Sequence, residues 1–180
     1  MKKLVTVLYF GLSFFEVIAQ SYSPIDIQSK IKFSIKNFGV GTGGDFKGLQ
    51  GAIVFDPANL AVCSFDMSIE AKTIDTDIDS RDNHLRKEEY FDVANFPRII
   101  IKSTKITPST KQGTLFLFCD LTIKGVKKAV SFPFTATPKD GGYLFEGNFK
   151  INRRDFGVGG NSISLGDNLT VYLSVFATKK

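Results

Sequence analysis

The stretch CSFDMSIEA, residues 63–71, places Cys63, Phe65, Met67, Ile69 and Ala71 at alternate positions, with Ser64, Asp66, Ser68 and Glu70 between them. Strand side chains point alternately to opposite faces, so this parity predicts a β-strand with one apolar face and one wet face. The same parity recurs in both directions. Upstream, Ile31, Phe33 and Ile35 alternate with lysines and Ser34. Ile53 and Phe55 alternate with Ala52 and Val54 ahead of the turn at 56–59. Downstream it returns at Ile99 and Ile101, at Leu115 through Ile123, at Val130, Phe132 and Phe134, at Phe145, Phe149 and Ile151, and at Leu169 through Val175. About eight strands joined mainly by short turns predict an all-β protein. Alternation alone leaves a closed barrel and a sandwich both open.

One long segment breaks the pattern: TIDTDIDSRDNHLRKEEYFDVANFPRIII, residues 73–101. A short polar helix is predicted over 80–89, with Asp79 or Ser80 as N-cap. Such an excursion reads as a plug or lid on a sheet-built body. Asp75, Asp77 and Asp79 imitate the start of an EF-hand loop, but its sixth place is Ser80 instead of Gly and its twelfth is Arg86 instead of Glu. The glycine-rich run 39–48 contains G-x-G-x-x-G at Gly39, Gly41 and Gly44. No helical pattern follows it, so a hairpin or bulge loop is expected there and no dinucleotide site. His84 is the only histidine, and no motif supplies it with a nucleophile.

Residues 1–19 carry Lys2 and Lys3, an apolar run from Leu4 to Phe15 and a small residue at Ala19. That layout predicts a signal peptide cleaved after Ala19, an export to the periplasm or beyond, and a single domain over 20–180. The apolar run is shorter than the roughly 20 residues of a membrane-spanning helix, and the mature chain offers no transmembrane segment. Removing 1–19 leaves 21 Lys and Arg against 17 Asp and Glu, a mild basic excess spread along the strands. With no aromatic–basic cluster, nucleic acid is not an expected partner. Cys63 and Cys119 fall on apolar strand faces, where a lone cysteine is usually a buried hydrophobe. Export keeps a disulfide between them open, and the pair with one histidine does not make a metal site. The chain has 18 Phe and no Trp. Its inward faces therefore build either a packed core or a cavity lined by Phe, Ile, Leu and Met, which eight strands can just hold.

Several runs together resemble the YceI-like family. They are 29–33 (SKIKF), 48–56 (GLQGAIVFD), 74–76 with 81–86 (IDT, RDNHLR), Tyr90-Phe91-Asp92, Phe96-Pro97, 121–128 (LTIKGVKK) and 153–160 (RRDFGVGG). The resemblance spans about Ser29 to Ala177. It implies a lipocalin-like, eight-stranded antiparallel barrel with an elongated apolar tunnel. It also implies an exported, non-catalytic protein that needs no cofactor and binds long isoprenoid lipids of polyprenyl or quinone type; a homodimer is compatible with it. Where many members carry His-Ser near the first strand, this chain has Gln28-Ser29.

Parity assigns the tunnel lining to Phe33, Phe55, Phe65, Met67, Ile69, Ile101, Leu117, Phe132, Phe134, Phe149 and Val171. Arg81, His84, Arg86 and Arg154 are candidates to face a phosphate or quinone oxygen. The competing role for Arg81, with Asp82, is to pin the helix to the barrel. Two other functions stay in view: a filled barrel acting as a stress or interaction module, and an enzyme on an apolar substrate using His84 and Asp82.

Overall fold

A computed structural model describes residues 20–180; the expected signal peptide, 1–19, lies outside the described residues. In chain order the elements are β1 (Ser21–Pro24), β2 (Lys30–Asn37), β3 (Val40–Phe46), β4 (Gln50–Val54), β5 (Ser64–Glu70), α1 (Asp79–Leu85), β6 (Arg98–Pro108), β7 (Leu115–Ile123), β8 (Val126–Lys139), β9 (Gly142–Asn152) and β10 (Leu165–Lys179). From β4 to β10 each strand pairs antiparallel with the next. The long β10 then closes the ring: its residues 165–174 pair with β2, and 177–179 pair with β1. Because β2 pairs β3 and β1 pairs β4, β1 with β2, and β3 with β4, are each one interrupted strand. The result is a closed eight-stranded antiparallel barrel.

Both interruptions fall at the same height, and side chains replace the missing ladder bonds. The Asp26 carboxylate accepts the backbone N–H groups of Gly48 (3.0 Å) and Leu49 (2.8 Å). Ser29 Oγ donates to the Ile25 carbonyl (2.8 Å) and accepts from Phe176 N (3.1 Å). A buried backbone donor left unpaired is costly, so these contacts let the strand bend without losing the seam.

Several boundaries depart from expectation. The run 39–48 forms the expected hairpin, but its turn is confined to Phe38 (φ 49°) and Gly39 (φ 77°), and most of the rest is β3. Its glycines serve close backbone approach. Asp45 and Asp75 exchange backbone hydrogen bonds at 2.9 and 3.1 Å, and a Cβ on Gly44 would collide with the Asp75 carbonyl. Strand β1 was not expected, since its four residues show no alternation and are held only by β10 and β4. In β6 the register shifts between Ser103 and Lys105, which turns Ile106 inward to burial at 6 % exposure. Such a bulge resets the parity of all that follows it in the strand.

One end of the barrel is closed by aromatics. Phe55, 1 % exposed, meets Tyr143 and Phe145 edge-on at 5.0 and 5.2 Å between ring centroids. Tyr22 meets Tyr143 at 5.5 Å, and Phe65 meets Phe145 at 5.1 Å. Edge-to-face pairs of this kind add to the stabilisation from burial alone. Burial, with Tyr143 and Asp56 near, also pushes the Tyr22 phenol up. On the outer face lysines pair with acids across strands, as in Lys102–Asp66 at 3.1 Å. Exposed pairs like this contribute little.

Cys63 and Cys119 are both free. Cys63 lies just before β5 and is half-buried, its Sγ accepting from Asp56 N at 3.1 Å. Cys119 is buried on β7, and desolvation, with Asp120 adding repulsion, pushes its thiol up to about 12. The thiolate is the reactive form. Alkylation of the native protein at mildly alkaline pH is therefore expected to modify Cys63 first and Cys119 only after unfolding, as read by peptide mass mapping. Equal rates at both sites would contradict this burial.

Candidate functional site

Inside the barrel, above the aromatic floor, lies a cavity of about 360 Å³. Its walls are mainly the inward residues of β2 to β10 and the segment after β5. Of the parity-based lining, Phe33, Phe65, Met67, Ile69, Ile101, Leu117, Phe132, Phe134, Phe149 and Val171 stand on this wall. Phe55 does not. Its side chain points inward as parity requires, but at the level of the floor, where Tyr143 and Phe145 surround it. Parity gives the face of a strand and says nothing of height along the barrel axis.

The residues at the opposite end are polar or only half-buried: Asn37, Thr42, Thr76, Arg81, His84, Ser162 and Ser164. His84 is exposed and also lines the cavity, so the cavity reaches the surface there. The 73–101 segment frames this mouth. Helix α1 spans Asp79–Leu85, shorter than expected, and neither Asp79 nor Ser80 caps it: the N-cap is Ile78, with no side-chain bond. Beyond it the chain folds back in tight turns, with Phe91 N donating to the Leu85 carbonyl and Val93 N to the Arg86 carbonyl, both within 3.2 Å. That return places Tyr90 and Phe91 on the cavity wall, Phe91 edge-on to Phe46 at 5.5 Å. The excursion therefore flanks the open end.

The charged residues divide sharply. Asp82, 4 % exposed, accepts from the backbone N–H of Thr76 (3.0 Å) and from its hydroxyl. Arg81 Nε donates to Thr76 Oγ1 (2.7 Å) and its Nη2 to the Thr76 carbonyl. Helix and loop are thus clamped around Thr76, with no ion pair between Arg81 and Asp82. Arg81 Nη1 makes no hydrogen bond among the described residues, and this residue lines the mouth. His84 stacks edge-on against Tyr90 at 5.0 Å.

Arg86 is occupied by the fold: it donates to the carbonyls of Lys72 (2.7 Å) and Ile74 (2.9 Å) and to Asn83 Oδ1 (2.9 Å). Arg154 is exposed, pairs with Asp167 at 3.4 Å and does not reach the cavity. Its neighbour Arg153, which sequence reasoning did not single out, is buried and borders the cavity. Only the turn at Arg153–Phe156, closed by Gly157 at φ 65°, decides which of the two arginines points inward. Among the described residues no cluster of His, Cys, Asp and Glu could hold a metal ion.

The sequence profile of the YceI-like domain matches residues 24–177. This chain belongs to the YceI-like family. A UPF0312 protein of Yersinia enterocolitica is 32 % identical over 135 residues, covering 71 % of this chain and 69 % of the relative. The crystal structure of BcnA from Burkholderia cenocepacia superposes with a TM-score of 0.80 at 26 % identity, over 84 % of this chain and 98 % of that one. A polyisoprenoid-binding domain from Saccharophagus degradans shares the fold, with a TM-score of 0.70 at 13 % identity, over 89 % of this chain and 99 % of the other. The YceI-like barrel of this chain thus carries an apolar cavity, floored by aromatics and framed at its mouth by α1.

Proposed function

We propose that this chain is an exported, non-catalytic carrier that holds the apolar tail of an isoprenoid lipid in the barrel cavity. The observation that carries the reading is the cavity itself. Its wall is built mainly of Phe, Ile, Leu, Met and Val side chains, its floor is sealed by rings, and most of the hydrogen-bonding groups of the lining gather at the mouth. A polyprenyl tail is long, narrow and without hydrogen-bonding groups, so a dry tube fits it, and sites for such ligands are commonly mostly apolar with a few placed polar groups. The volume lies within the roughly 300–1,000 Å³ usual for small-molecule sites. The polyisoprenoid-binding domain of Saccharophagus degradans offers a precedent for the ligand class on this fold. A barrel filled by its own side chains is at odds with a cavity of this size.

Arg81 is the proposed head-group contact, since its Nη1 is free at the mouth and a guanidinium suits a phosphate or a quinone oxygen. A non-catalytic role fits His84, which leans on Tyr90 and whose imidazole makes no hydrogen bond to a side chain among the described residues. Titration of the protein with undecaprenyl phosphate, or with a ubiquinone, presented in detergent micelles tests the reading. One lipid per chain is expected to co-elute with the protein on gel filtration. Failure to retain either lipid would overturn it.

A further inference from the structure

Three of the most exposed large apolar residues of the described chain gather at the cavity mouth. Phe38 is 80 % exposed, Val40 69 %, and Ile163 is wholly exposed. Phe38 N donates to the Ser164 carbonyl at 2.8 Å, and Asn37 stands opposite both Val40 and Leu165. The β2–β3 tip and the loop before β10 therefore form one edge. Asn37, Ser162 and Ser164 on that edge also line the cavity. Residues 36–44 and 156–166 contain no carboxylate, and Lys36 is their only cation. Single exposed apolar residues are ordinary on any surface; three on two neighbouring tips beside an apolar opening are a patch with a position. Elsewhere at this end the character changes, for Ile78 sits between Asp77 and Asp79.

We propose that this edge seats on the surface of a lipid bilayer, with Phe38, Val40 and Ile163 entering the headgroup region so that the mouth opens onto the acyl chains. The inference rests on the isoprenoid reading above, because a prenyl lipid has no appreciable pool in water and needs a path that avoids it. The composition of the edge suits such a path. It pushes no carboxylate against lipid phosphates, and Lys36 lies where an anionic headgroup would attract it. A second copy of this chain is the other candidate occupant, but a stable dimer buries roughly 800 Å² per partner. Three side chains, the largest a Phe of about 150–250 Å², do not supply that area.

The chain has no tryptophan, so Phe38→Trp places a single indole at the tip. With mixed phosphatidylethanolamine–phosphatidylglycerol vesicles free of prenyl lipid, its emission is expected to shift to the blue and to be quenched by brominated acyl chains. Adding Val40→Asp and Ile163→Asp is expected to weaken vesicle partitioning roughly a hundredfold, as two apolar groups that would enter the bilayer become carboxylates that must stay hydrated. Circular dichroism checks the fold, and all three positions are exposed and outside the core. Emission unmoved by vesicles would overturn the proposal, as would a blue shift that grows with protein concentration in their absence, the mark of self-association. Uptake of undecaprenyl phosphate from micelles reads the cavity separately. Insertion without uptake keeps the docking edge and removes the isoprenoid reading; uptake without insertion does the reverse.

Discussion

Val171→Trp combined with Ile101→Trp is expected to abolish prenyl-lipid uptake while leaving the barrel as stable as the parent or more so. Both side chains line the cavity and are only half-buried although they point inward. They face empty volume, so an added indole extends into space that the lipid tail would occupy. Filling a void of this kind typically adds about 0.5–2 kcal/mol of stability, whereas overpacking a filled core costs roughly 1–3 kcal/mol. The two measurements therefore separate the cases. Loss of lipid co-elution, by about a hundredfold or more, together with an unchanged or raised Tm is the result that an empty, ligand-bearing cavity gives. A fall in Tm would mean that these positions are already packed. Retained uptake would mean that the lipid sits elsewhere. Leu117→Arg is a less informative variant, because Leu117 is 5 % exposed and an unpaired charge there threatens the fold itself.

The second large effect concerns stability. Arg153→Met is expected to lower stability by about 3–5 kcal/mol, because it strips the donors from several carbonyl oxygens at about 1–3 kcal/mol for each one left buried. Arg153 is 4 % exposed. Its Nη1 donates to the carbonyls of Val158 (2.9 Å), Gly159 (3.0 Å) and Gly160 (3.0 Å). Its Nε donates to Gly166 O (3.0 Å), and Nη2 reaches the Asp167 carboxylate at 2.9 Å. One guanidinium thus holds both stems of the loop that ends at Ser164 beside the mouth. Methionine keeps much of the side-chain bulk and satisfies none of those oxygens, which are then left partly buried without donors. In a domain of this size each kcal/mol moves Tm by roughly 2–4 °C, so a drop of about 6–20 °C is expected by differential scanning calorimetry. A change below about 2 °C would contradict the network. Arg154→Met, by contrast, removes an exposed arginine that pairs only with Asp167 and should leave Tm nearly unchanged.

Much of the fold was legible because an antiparallel wall with one dry face writes itself as alternation. The runs 63–71, 115–123 and 169–175 show it directly, and the corresponding strands are β5, β7 and the middle of β10. Closure was not legible from parity. It depends on β10 meeting β1 and β2 in turn, a long-range pairing that leaves no local trace in four residues at 21–24. The glycine run 39–48 was legible as a hairpin, which β2 and β3 form, but not in its extent: glycine usually marks a turn, and here most of the run is strand whose glycine lets Asp75 lie against it.

The site was partly readable. Inward parity found most of the cavity wall, and it misplaced Phe55 because height along the axis, unlike face, has no signature in a single strand. The arginines were the least readable. Arg81, Arg86, Arg153 and Arg154 are the same residue type in polar surroundings, and only tertiary geometry separates Arg81 at the mouth from Arg86 and Arg153, spent on backbone carbonyls, and from Arg154, paired with Asp167.

The central claim, that the cavity is a lipid site, is tested most directly by native mass spectrometry of the protein as isolated from its own cells, followed by organic extraction of whatever it carries. The expected result is a stoichiometric adduct whose extracted mass is that of a polyprenyl or quinone lipid, lost from the Val171→Trp, Ile101→Trp variant. A bare chain that also remains bare after incubation with such lipids would contradict the claim.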